Sequence, residues 1–142
     1  MKTIYLIAGL IVIVAAGALA YIFISGGLFS SGGGGTSSAC TPNVSYVLVA
    51  YNNQYFFQND TNYKHPNPTL YAKVGDCVQI KIIDNENVIH NYVINQLNVQ
   101  SSDITAQGQT ATVTFKVNQP GTYKWICSYH TDTMNGQFVV SP

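Results

Sequence analysis

QTATVTFKV, residues 109–117, places Ala111, Val113, Phe115 and Val117 on one face of an extended chain and Thr110, Thr112, Thr114 and Lys116 on the other. A period of two is the signature of a strand with one face buried. Shorter runs with the same β-branched and aromatic character lie on both sides: VSYVLVAY (44–51), TLYAK (69–73), VQIKII (78–83), HNYVIN (90–95), TYKWIC (122–127) and GQFVV (136–140). Turn residues separate them at 74–76, 84–87, 106–109 and 118–121. No stretch after residue 40 carries a helical stripe. The pattern predicts an all-β domain over residues 40–142, an antiparallel-rich sandwich or a Greek-key barrel of seven or eight strands.

The chain ahead of that domain is different in kind. Ile4–Ile24 (IYLIAGLIVIVAAGALAYIFI) contains no charged residue and is long enough as a helix to cross a bilayer core. Lys2 is the only charge before Asp60, so the positive-inside tendency keeps the N-terminus cytoplasmic and sends the rest outside. A cleaved signal peptide competes, through the small-x-small site Ala18-Leu19-Ala20, but the apolar run continues beyond it to Ile24. Residues 1–25 are therefore expected to be a single transmembrane anchor or uncleaved signal. Residues 26–39, rich in Gly and Ser, form a tether of roughly 20 Å root-mean-square span. Either way the β domain is expected on the extracytoplasmic side of the cell membrane.

Charged residues make up 8% of the chain and none is arginine, which leaves no basic footprint for nucleic acid. Asn43-Val44-Ser45 and Asn59-Asp60-Thr61 are glycosylation sequons, a pattern short enough to be common by chance.

The chemistry gathers near the C-terminal end, in WICSYHTDTMNG (125–136). Cys127, His130 and Met134 follow Cys-x2-His-x3-Met spacing where a strand runs out into a loop. Such a loop can curl around one ion. Two histidines and a thiolate in a plane, with a weak axial thioether, make the blue-copper arrangement. The missing histidine has a candidate in His90, at the start of a strand after the DNEN turn. Taken singly, Cys127 reads as a small buried hydrophobe, Met134 as a core plug and His130 as a loop residue. Their coincidence around the only internal methionine favours a metal. Structural zinc favours four Cys/His ligands, so copper fits better.

These stretches resemble the cupredoxins, the plastocyanin and amicyanin group of small blue copper proteins, over about residues 67–140. NPTLYAKVGDCVQIKI (67–82) resembles the family's strand, Gly-Asp turn and strand. Ile89-His90-Asn91 resembles its first-histidine motif, and PGTYKWICSYHTDTMNGQFVV (120–140) its ligand loop and last strand. The resemblance implies a Greek-key sandwich that carries electrons through one copper ion per chain. His90, Cys127 and His130 would be equatorial ligands, Met134 the axial one, and Asn91 the residue that ties the two ligand loops together. The His-to-Met gap of three and Tyr129, where proline is common, depart from the family pattern. Residues 87–127 also resemble the copper domain of haem-copper oxidase subunit II, whose two coppers need Cys-x3-Cys-x3-His-x2-Met. Here Thr131 stands where the second cysteine belongs.

Cys40 and Cys77 are left over. The family's strand order places the strands that follow them side by side and parallel, so a disulfide is expected outside the cytoplasm; two unpaired thiols are the alternative. His65, between Lys64 and Pro66, is expected to face solvent and is the one further candidate as an extra or substitute ligand.

The expectation is a membrane-anchored, extracytoplasmic electron carrier, not an enzyme, exchanging electrons with a respiratory membrane complex such as a terminal oxidase. Two histidines, a cysteine and a methionine leave no easy position for a substrate. Two alternatives stand beside it. One is a copper-binding component of an oxidase or a small copper enzyme. The other is a metal-free adhesion or pilin-like surface protein.

Overall fold

A computed structural model describes residues 40–142; the anchor and tether expected over residues 1–39 lie outside the described residues. Among the described residues no helix is long and apolar enough to cross a membrane.

Among the described residues nine strands form two sheets. They are β1 (Val44–Tyr51), β2 (Gln54–Phe57), β3 (Leu70–Lys73), β4 (Cys77–Asp84), β5 (Val93–Ile94), β6 (Val99–Gln100), β7 (Thr110–Lys116), β8 (Gly121–Ile126) and β9 (Asn135–Ser141). One sheet has the order β2-β1-β4-β7 and the other β3-β9-β8-β5-β6. Pairing is parallel between β1 and β4 and between β3 and β9. The only helix among the described residues is a 3-10 turn at Asn95–Leu97.

The alternation of QTATVTFKV decides which sheet face is inside. Ala111, Val113, Phe115 and Val117 are buried, while Thr110, Thr112 and Lys116 are exposed. Leu48, Ile80 and Ile82 from the same sheet meet Leu70, Trp125, Phe138 and Val140 from the other in one core. Phe115 and Phe138 make an edge contact across it at 5.7 Å. This apolar layer removes both inner faces from water, which is the main stabilising term for a sandwich.

Three departures from the sequence pattern have local causes. Asn52 and Asn53 both adopt left-handed φ, 51° and 54°, and so close a two-residue hairpin that pairs β2 to β1. That geometry matches the twist of the flanking strands, and asparagine tolerates it. HNYVIN does not run as one strand: His90 makes an isolated bridge to Ile104, β5 keeps two residues, and the chain then turns into the 3-10 segment. β6, of only two residues, is too short to show alternation.

The parallel pairing of β1 and β4 brings Cys40 and Cys77 together, and they are joined by a disulfide with a Cα–Cα distance of 5.9 Å. Asn43 reinforces this end. Its amide donates to Asp76 at 2.7 Å and accepts from the Cys77 N–H at 2.7 Å. Both sequon asparagines are exposed, but the Asn43 side chain is engaged in holding the fold through these two bonds.

Candidate metal centre

β8 and β9 are adjacent antiparallel strands whose last pair is Ile126 with Asn135, so residues 127–134 form the loop between them. The loop folds on itself. The Cys127 N–H donates to the Met134 carbonyl at 2.9 Å, and the Met134 N–H to the His130 carbonyl at 2.8 Å. Met134 is thereby set opposite Cys127, and both side chains are fully buried. Asn135 closes the turn by donating to the Thr131 carbonyl at 2.9 Å.

His90 arrives from the other side. Its backbone N–H and carbonyl both pair with Ile104 at 2.9 Å, which fixes the chain where the side chain leaves it. His90 Nδ1 lies 4.0 Å from Cys127 Sγ, and His130 Nδ1 lies 3.6 Å from the same sulfur. The imidazole rings are 5.0 Å apart, centre to centre. One donor atom from each residue falls within 4.8 Å of the others. An ion with bonds of about 2.0–2.3 Å to nitrogen and sulfur, at the centre of such a triangle, needs donors about 3.6–3.8 Å apart. The donor spacing fits a metal.

The exposures of the donors differ. His90 and Cys127 are inaccessible to water, but His130 is only partly covered. Burial, with His90 adding to it, lowers the His130 imidazole from the usual histidine range, which favours the neutral form that can offer a lone pair to a metal.

Asn91 links the two ligand-bearing segments: its side-chain oxygen accepts from the Ser128 N–H at 2.8 Å. Its amide nitrogen donates to Asp103 at 3.0 Å, and the other Asp103 oxygen accepts from the Tyr129 hydroxyl at 2.7 Å. Hydrogen bonding to Asp103 raises the Tyr129 phenol above its ordinary range. Beneath the site Tyr55 donates to the Asn91 carbonyl at 3.0 Å. Asn67 donates to the Thr133 carbonyl at 2.7 Å, which braces the loop from outside.

His65 stands apart. Its side chain is 84% exposed and it contacts Asp60 at 3.3 Å, away from the cluster. Glu86, Asp103 and Asn67 are the supporting residues that the sequence reading missed. Of these, only Glu86 had a visible signal, as the sole glutamate of the chain, four residues before His90. Its carboxylate lies 3.0 Å from His90 Nε2.

Residues 58–140 match the cupredoxin-like domain family. The chain belongs to that family. The fold of this cupredoxin-like domain is similar to that of auracyanin B, at 20% identity and a TM-score of 0.59, covering 78% of this chain and 97% of that one. Auracyanin A, a "blue" copper protein from the green thermophilic photosynthetic bacterium Chloroflexus aurantiacus, gives 20% identity and a TM-score of 0.53, covering 69% and 98%. Amicyanin from Paracoccus versutus gives 18% and 0.48, covering 74% and 89%. No curated protein sequence matches the chain.

Proposed function

We propose that His90, Cys127 and His130 of this cupredoxin-like domain would hold one copper ion, with Met134 as a weak fourth donor, and that the domain carries single electrons. The observation that supports this most is the convergence of two imidazoles at 3.6 and 4.0 Å on one fully buried thiol. Bound copper would supply a one-electron couple; a soft thiolate and two imidazoles are the donor set that suits it.

The chain's own residues do the rest. Cys127, its N–H held by Met134, presents sulfur at a fixed place. Asn91 keeps the His90 segment in register with Ser128, so the donors are set before a metal arrives and move little when an electron does. His130, the one donor with an exposed edge, is the exit toward a partner. Tyr129, 46% exposed, lies beside it with its hydroxyl on Asp103 and gives the docking face a broad polar-tipped ring. With few charges nearby, docking depends weakly on salt. The four side chains leave no evident place for a substrate, which favours a carrier over an enzyme.

The apolar segment 4–24 and the Gly/Ser-rich 26–39 support a membrane-anchored carrier on the extracytoplasmic side, exchanging electrons with a respiratory membrane complex such as a terminal oxidase.

The test is copper(II) loading of the full chain in detergent. One copper per chain, an intense visible thiolate-to-copper band and a mononuclear paramagnetic spectrum are expected, with the band absent in Cys127→Ser. Two coppers sharing an electron would favour the oxidase-subunit alternative. A folded, copper-loaded but colourless protein would refute the carrier.

A further inference from the structure

Glu86 lies in the turn after β4, and its carboxylate receives three hydrogen bonds. Oε2 accepts from the Asn52 N–H at 3.0 Å, and Oε1 accepts from the Asn53 N–H at 3.0 Å. Oε1 also meets His90 Nε2 at 3.0 Å. The two asparagines are the left-handed residues of the β1–β2 hairpin, and consecutive N–H groups in such turns form a concave seat for an anion. The carboxylate is therefore held from below by the hairpin and from above by the histidine.

An ionised carboxylate only accepts hydrogen bonds. The proton of the His90–Glu86 contact must then sit on Nε2, and a neutral imidazole with Nε2–H has its lone pair on Nδ1. Nδ1 is the atom that lies 4.0 Å from Cys127 Sγ. His90 is wholly buried, while the Glu86 side chain keeps 21% of its surface, so no water competes at the imidazole end.

We infer that Glu86 is the positioning residue of the metal centre. It selects the His90 tautomer that offers Nδ1, fixes the ring plane through the hairpin, and adds negative charge behind the imidazole. This role rests on the copper reading for its consequence but not for its geometry. A carboxylate behind a ligating imidazole raises the basicity of the ligand, and losing such a contact typically costs about 10–100-fold in metal affinity. The added charge favours the more positive oxidation state of the metal.

Two variants separate the parts of the role. Glu86→Ala removes the acceptor, whereas Glu86→Gln keeps an oxygen for Nε2–H and loses the charge. In the metal-free full chain, nitrogen-15 NMR of the imidazoles should show His90 as the Nε2–H tautomer in the wild type and in Glu86→Gln, and lost or mixed in Glu86→Ala. With copper(II), Glu86→Ala should bind about 10–100-fold more weakly. Glu86→Gln should keep the visible band at a raised potential, by about 59 mV for each tenfold loss confined to the oxidised form. A residue that only stabilised the hairpin would change the urea midpoint and neither tautomer nor potential. Should Glu86→Ala not fold, Glu86→Gln decides through its potential. The inference is overturned by a wild-type His90 carrying its proton on Nδ1, or by variants matching wild type in tautomer, affinity and potential. If wild-type protein takes up no copper at all, the proposed function fails, and the metal-free tautomer still decides the role of Glu86.

Discussion

Gly136→Ala tests the packing that holds the ligand loop. Gly136 pairs with Trp125 across β8 and β9, and a Cβ at residue 136 would lie 2.4 Å from Trp125 Cζ2 and 2.6 Å from Cε2. Carbon atoms in favourable contact sit about 3.5–4.0 Å apart, so the overlap is about 1 Å against a rigid ring. The indole cannot step aside. It is fully buried, stacked on Tyr92 at 5.8 Å and in edge contact with Tyr55 at 5.8 Å. Overpacking of this kind costs about 1–3 kcal/mol, and an immobile ring places the cost at about 3. Replacing a strand glycine returns about 0.5–1 kcal/mol of chain entropy, which leaves a net loss of about 2 kcal/mol. For a domain of this size that lowers the melting temperature by about 8–16 °C. Urea unfolding of the metal-free full chain, followed by the fluorescence of its single tryptophan, reads the loss directly. A midpoint equal to wild type within error would refute the reasoning, because it would mean the β8–β9 pair has room that its geometry denies.

Met134→Leu should retain the fold and most copper binding while shifting the reduction potential, since an axial thioether mainly tunes the site. Loss of all copper, or colour with no shift by voltammetry, would each contradict a weak axial role. Replacing both Cys40 and Cys77 with serine should lower stability by roughly 3–4 kcal/mol, the chain-entropy value for a bridge of sequence separation 37. An unchanged urea midpoint would count against it. Asp76 is held below its ordinary 3.8 first by the Lys73 N–H and then by the Asn43 amide. A depressed carboxyl contributes fully above its unfolded value and loses that contribution as pH falls through its folded one. Stability of the metal-free protein should therefore decline with acidification below about pH 4, and less steeply in Asp76→Asn. Equal slopes in pH-resolved urea titrations would remove Asp76 from the account.

What could be read from the sequence depended on whether a feature has a period or a chemical signature. β7 announced itself because Ala111, Val113, Phe115 and Val117 alternate with polar residues over enough length to count. The convergence of Cys127, His130 and His90 was legible because thiols and imidazoles are scarce here, three of each. β2 was not legible, because its signal is the hairpin formed by Asn52 and Asn53 and not any alternation. The support of the site was the least visible part. Asp103 reaches Tyr129 and Asn91, and Asn67 reaches Thr133, across 26, 12 and 66 positions of chain. Polar contacts between irregular segments leave no pattern in one dimension.

The disulfide has a mechanical meaning. β1 and β4 run in parallel from Cys40 and Cys77, and β4 ends at Asp84, just before the segment that delivers Glu86 and His90. At about 3.3 Å per residue β4 separates its two ends by about 23 Å. A pull applied at Cys40 passes through the sulfur bridge into β4, a central strand flanked by β1 and β7, instead of peeling β1 away one hydrogen bond at a time. The disulfide thus fastens the start of the domain to one end of β4, while the candidate metal centre lies beyond the other end of the same strand.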